Sequence, residues 1–129
     1  VVLTWTVSGT APIALACNSA NSSMTLTIIP ASTAFAGAND NICENNPYSL
    51  SSATATNQMS VLWTAPLGDG IFTNASSLNP DYTPGPNDII AGTVDLTLTV
   101  TGNSPCLSIS STMTLTVVPN PTPGPIFHN

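Results

Sequence analysis

Lysine and arginine are missing altogether from this 129-residue chain, and the charged residues are six acids, Asp40, Glu44, Asp69, Asp81, Asp88 and Asp95, or 5% of the sequence. A cytoplasmic protein surface is commonly about a quarter charged or more. Here the polar residues are almost all Ser, Thr, Asn, Gly and Pro. With no cation to neutralise phosphates, nucleic acid and anionic membrane are excluded as partners of this segment. Trypsin-type cleavage sites are absent, which suits a surface exposed to proteases, and no lysine amine exists for an isopeptide cross-link. The acids never occur in pairs along the chain, so they form no acidic interaction tail. The one histidine, His128, lies in a proline-rich tail. Hydrolytic chemistry needs paired carboxylates or a nucleophile with a base, so the chain reads as a non-enzyme. No apolar run approaches the roughly 18 residues of a spanning helix, which speaks against direct membrane insertion.

What the chain does contain is a repeat. Val94-Asp-Leu-Thr-Leu-Thr-Val-Thr-Gly102 returns Val1-Val-Leu-Thr-Trp-Thr-Val-Ser-Gly9 at an offset of 93, and Ser111-Thr-Met-Thr-Leu-Thr-Val-Val-Pro119 returns Ser22-Ser-Met-Thr-Leu-Thr-Ile-Ile-Pro30 at an offset of 89. The unit is therefore about ninety residues long, as in a tandem array. Residues 1–30 read as the last strands of a preceding repeat, 31–119 as a complete repeat, and 120–129 as a linker or the start of the next. Pro119, Pro121, Pro123 and Pro125 favour extended polyproline geometry and make that linker a semi-rigid spacer.

Within the unit the period is two. Leu96, Leu98 and Val100 alternate with threonines, as do Met113, Leu115 and Val117, which predicts strands with one core face and one threonine-rich face toward water. Leu3, Trp5 and Val7, then Met24, Leu26 and Ile28, repeat the pattern. Further strands are expected at 48–50, 59–64 and 71–72 and around Tyr82, separated by turns such as Pro66-Leu-Gly-Asp-Gly70 and Pro84-Gly-Pro86. Trp63 is expected in the core, and Tyr82 is expected to tie a loop to the sheets through its hydroxyl. Pro86-Asn-Asp-Ile-Ile-Ala-Gly92 has room for about one helical turn. Short strands at this spacing predict an all-β fold, an immunoglobulin-like antiparallel β-sandwich repeated in tandem.

Three cysteines fit the repeat. Cys43 lies near the start of the complete unit and Cys106 near its end, so a Cys43 to Cys106 disulfide is expected, with Cys17 left unpaired because its partner belongs upstream. Such a bridge would stabilise by on the order of 4 kcal/mol and implies an oxidising compartment. The competing reading is three buried free thiols. No Cys or His spacing suggests zinc.

Seven segments also carry a resemblance: Asp40-Asn-Ile-Cys-Glu44, Tyr48-Ser-Leu-Ser-Ser-Ala-Thr-Ala-Thr-Asn57, Ser60-Val-Leu-Trp63, Gly68-Asp-Gly-Ile-Phe72, Leu78-Asn-Pro-Asp-Tyr-Thr-Pro84, Asn87-Asp-Ile-Ile-Ala-Gly92 and Leu96-Thr-Leu-Thr-Val-Thr-Gly-Asn103. In that order they resemble the repeats of giant cell-surface adhesins of Bacteroidota, a group that includes the flavobacterial gliding-motility adhesins. The resemblance implies an extracellular location on a bacterial surface, export by the type IX secretion system, and a role in adhesion or gliding motility.

Two function classes follow. In the first, the unit is a structural stalk module of an adhesin or extracellular filament, partnered by neighbouring repeats, with contacts to other cells or substrata made elsewhere. In the second, it binds surface glycans through exposed aromatic rings such as Tyr48 or Phe72. A self-assembling subunit completed by strand addition is a further alternative. No cofactor is expected. Asp69, with Asp40 or Asp88, has oxygen ligands suitable for calcium, but turn and cap hydrogen bonds are the favoured role because no closely spaced acidic loop is present.

Overall fold

The computed structural model describes residues 1–8 and 19–125; Cys17 and His128 lie outside the described residues. Strands take up 49% of the described residues and helix 5%, so the chain is mostly β, with several antiparallel sheets consistent with a β-sandwich. The elements run β1 (Val2–Val7), β2 (Ala20–Thr25), β3 (Thr33–Phe35), β4 (Asp40–Cys43), β5 (Tyr48–Ser49), β6 (Thr54–Thr56), β7 (Gln58–Thr64), β8 (Ile71–Phe72), β9 (Asp81–Thr83), α1 (Pro86–Ala91), β10 (Thr93–Gly102) and β11 (Ile109–Val118).

The period-two pattern places β10 and β11 at the centre of a four-stranded sheet ordered β4-β11-β10-β7. Leu96, Leu98, Val100, Met113, Leu115 and Val117 are buried on one face. On the other, the Thr97 and Thr112 hydroxyls meet across the strands at 2.9 Å, and the Thr114 hydroxyl donates to Asp95 at 2.7 Å. Such cross-strand pairs each contribute a few tenths of a kcal/mol. Ala36, Leu50, Ala53 and Tyr82, from the smaller sheets β3-β6 and β5-β9-β8 and the segments beside them, join the apolar face in one core. Trp63 of β7 is 1% exposed, and its indole N–H donates to the Leu78 carbonyl at 3.1 Å. A buried indole satisfied in this way contributes its large apolar area without an unpaired donor.

Two features differ from expectation. β3, β4 and β6 were not legible in the sequence, and β4 pairs with β11 in parallel, with Cys43 opposite Val118, rather than antiparallel. The inward positions of β3 and β6 are Ala34 and Ala55. Alanine as the single inward residue, between Thr33 and Phe35 in β3 and between Thr54 and Thr56 in β6, gives a weak apolar alternation, and a parallel partner far away in sequence leaves no turn signal.

The first hairpin repeats the last in register as well as in sequence. β1 pairs Val2, Leu3, Thr4, Trp5, Thr6 and Val7 with Thr25, Met24, Ser23, Ser22, Asn21 and Ala20. Shifted by 93 and 89, these are the pairs from Asp95 and Thr114 to Val100 and Ile109 that join β10 to β11. Burial is reversed: Trp5 is 72% exposed, whereas its counterpart Leu98 is 0% exposed. Leu3, Val7, Met24, Leu26 and Ile28 are exposed in the same way.

Candidate functional site

The polar ties and the thiols of residues 31–119 lie toward the two ends of β10 and β11. The entrance end receives the chain from Pro30, and the exit end sends it on at Pro119. At the exit end the turns are held by one buried carboxylate. Asp88 of α1 is 2% exposed. Its Oδ2 accepts from the Tyr82 hydroxyl at 2.7 Å, the Gly85 N–H at 2.9 Å and the Gly70 N–H at 3.1 Å, while Oδ1 accepts from the Asp69 N–H at 3.3 Å. Asp69 reciprocates by capping the helix: its Oδ1 accepts from the Asn87 and Asp88 N–H groups at 3.1 and 3.2 Å. These are first-turn donors that a helix leaves unpaired. Gly70 has no alternative here, because a Cβ would overlap the Tyr82 hydroxyl and the Thr83 carbonyl. Gly92 ends α1 with φ of 73° and returns its N–H to the Asp88 carbonyl at 2.9 Å. Burial, and then the Asp88 carboxylate that accepts its proton, hold the Tyr82 phenol far above its ordinary value. The sequence assigned Asp69 and Asp88 to turns and caps and Tyr82 to a loop tie. What it did not reveal is that all three belong to a single knot.

The thiols lie at opposite ends. Cys43 closes β4 beside Val118 at the exit, exposed, and the Glu44 N–H donates to the Val118 carbonyl at 2.9 Å. Cys106 follows β10 at the entrance, where its Sγ lies 3.8 Å from the Ile29 oxygen and 3.7 Å from the Pro30 oxygen. Both are free, and the Cys43 to Cys106 bridge expected from the sequence does not form. The length of β11 separates them, roughly 30 Å at the rise of a strand, whereas a disulfide holds its Cα atoms about 4.4–6.8 Å apart. Positions near the start and the end of the repeat in sequence therefore lie at opposite ends of the sheet. The entrance is otherwise tied by Ser32, whose hydroxyl donates to the Asn57 carbonyl at 2.8 Å, and by the Asn57 side-chain amide, which donates to the Ala31 carbonyl at 3.0 Å.

Among the described residues Trp5 and Phe35 are the exposed aromatic side chains, and the other four lie in or against the core. Phe72 lies between Trp63 and Tyr82, with ring centroids 6.2 and 4.7 Å away, and is itself only partly exposed. Tyr48 is half-buried and its hydroxyl donates to Asp40 at 3.0 Å; partial burial, and then that carboxylate, raise its phenol above the ordinary value. A groove of about 400 Å³ runs beside α1 between Pro66, Leu67, Val94, Asp95 and Thr112. The two carboxylates that border it, Asp88 and Asp95, accept the hydrogen bonds described above. Among the described residues no three His, Cys, Asp or Glu side chains gather as a metal site, and no helix is long and apolar enough to cross a membrane. No known protein family and no curated protein sequence matches the chain.

Proposed function

We propose that the chain is a segment of a tandem array of immunoglobulin-like modules, serving as a structural stalk in an extracellular adhesin or filament on a bacterial surface. The observation that carries this reading is the first hairpin: it has the register of the β10–β11 hairpin, and it bares the side chains that in β10–β11 form the core. A face of that composition is stable in water only when covered, and the remaining strands of a preceding module would cover it as Ala36, Leu50, Ala53 and Tyr82 of the smaller sheets and their flanking segments cover β10 and β11. Between modules, residues 119–125 are exposed and without regular structure, with proline at every second position, which suits a spacer that sets reach.

The missing cations and the resemblance of the unit to repeats of Bacteroidota adhesins support an exported surface protein, with type IX export and a part in adhesion or gliding motility as the family context. Glycan binding has less support, because Phe72 packs at a tilt between Trp63 and Tyr82 and Tyr48 is tied to Asp40. Glycan-array binding by the 129-residue chain separates the two classes. A stalk module gives no binding above background at micromolar concentration; specific binding that is lost in Tyr48→Ala or Phe72→Ala contradicts the stalk reading.

A further inference from the structure

We propose that successive modules are joined by a disulfide between the exit cysteine of one and the entrance cysteine of the next, that is, between the position of Cys43 in one copy and the position of Cys106 in the copy that follows. This rests on the tandem-array reading. It arises from placing the repeat offset onto the observed strand pairing.

At an offset of 89, Ile29 corresponds to Val118 and Pro30 to Pro119. Val118 pairs with Cys43, and its carbonyl points toward β4, where it accepts from the Glu44 N–H at 2.9 Å. In the preceding module the Cys43 counterpart therefore lies opposite Ile29, on the side to which the Ile29 carbonyl points. That is where Cys106 sits, with its Sγ 3.8 Å from the Ile29 oxygen. Paired strands are about 4.8 Å apart, which puts the Cys43 counterpart beside Ile29, the residue that Cys106 also contacts; the proposed bridge requires the two Cα atoms to lie about 4.4–6.8 Å apart. A carbonyl oxygen has two lone pairs, so before oxidation the backbone N–H and the Cys106 S–H can both donate to the Ile29 oxygen; in the disulfide the sulfur keeps only a van der Waals contact there.

The same rule accounts for each cysteine. Cys106 reaches back to the preceding module, Cys43 is exposed at the exit toward the following one, and Cys17, the counterpart of Cys106 by sequence, belongs to a junction further upstream. The chemistry is dithiol oxidation by a disulfide donor such as an extracytoplasmic dithiol–disulfide oxidoreductase. The thiolate of one cysteine attacks the donor disulfide and displaces one donor thiolate. The second cysteine's thiolate then attacks the mixed disulfide and displaces the other. One S–S bond forms, one breaks, and the two protons lost by the protein are balanced by the two donor thiols.

The consequence is mechanical. From Cys106 the chain runs along β11 to the exit, crosses the linker, and in the next module runs through β3 and β4 to the Cys43 position, where another bridge takes over. Force is then carried by strands that are already extended, and the intervening residues are bypassed.

The test uses the natural chain lengthened by one copy, residues 1–119 followed directly by 31–129, so that Pro119-Ala31 reproduces the Pro30-Ala31 junction, with Cys17→Ser to remove the outlying thiol. The protein is oxidised in a glutathione redox buffer, digested with chymotrypsin and mapped without reduction. Free thiols are expected to fall from four to two per molecule, with the single linkage between the first-copy Cys43 and the second-copy Cys106. The first-copy Cys43→Ser variant abolishes it; the second-copy Cys43→Ser variant leaves it. A linkage within one copy, or four free thiols, overturns the proposal. Small-angle scattering of the reduced protein reads the array separately: two folded units in line together with free thiols defeats the disulfide alone, whereas units that do not align defeat the array.

Discussion

Asp88 is a buried carboxylate without a cation, stabilised only by four dipolar donors, and that arrangement fixes what its replacement does. In Asp88→Ala the Gly70, Asp69 and Gly85 N–H groups and the Tyr82 hydroxyl lose their acceptor, and we expect a loss of about 3 kcal/mol in urea unfolding. Asp88→Asn, with its oxygen in the Oδ2 place, keeps three of the four acceptor bonds and opposes an N–H₂ only to the Asp69 N–H, so it should recover more than half of that. Tyr82 adds a pH dependence. Its phenol is raised in the folded state, so its contribution is fully present below the unfolded value of about 10 and is lost as pH rises above that value toward the folded one. The melting temperature should therefore be insensitive to this group from pH 7 to 9 and fall above pH 10. Tyr82→Phe should cost about 1 kcal/mol at neutral pH and show a shallower alkaline fall; an unchanged alkaline slope would mean that another group governs it. The residues of this knot could each be assigned a turn, cap or tie role from sequence. Their convergence could not be, because Asp69 and Asp88 are brought together only by the packing of Gly68-Asp-Gly70 against the helix, a contact between segments with no shared periodicity.

Among the elements, legibility followed side-chain size. β10 and β11 were evident because large apolar residues alternate with threonine through Leu96 to Thr101 and Thr112 to Val117, and the short helix because Pro86 starts it and Gly92 ends it. β3 and β6 were hidden because alanines face inward, and β4 because its partner is parallel and remote. That missed pairing also explains the misplaced disulfide: without β4 beside the end of β11, nothing in the sequence says that Cys43 lies at the opposite end from Cys106. Trp63 is the largest fully buried side chain of the central sheet, and Trp63→Ala should cost about 3–5 kcal/mol in urea unfolding, enough to leave the module marginal. The first hairpin behaves differently. Two strands with an uncovered apolar face have little independent stability, so in the 129-residue chain hydrogen exchange of the β1 and β2 amides should be faster than that of β10 and β11 by on the order of a thousandfold. Equal protection would mean that the hairpin is covered by something other than a preceding module.

On the scale of the whole molecule, one unit of about ninety residues is built so that its ends, not a cleft, hold the distinctive chemistry. The exit carries the Asp88 knot and Cys43, the entrance carries Cys106 and the Ser32 and Asn57 ties, and the outer face of β10 and β11 carries paired Thr hydroxyls. This is the arrangement expected of a part that transmits load along its length. The most direct test is the force–extension curve of the native parent polypeptide, pulled singly in the presence of a reductant so that bridges do not mask unfolding. A unit of this length releases roughly 280 Å of chain when it opens, at the reach of an extended backbone less its folded length. The account predicts a regular series of unfolding events at that increment, one for each module. A single event, or increments with no common spacing, would contradict the tandem stalk.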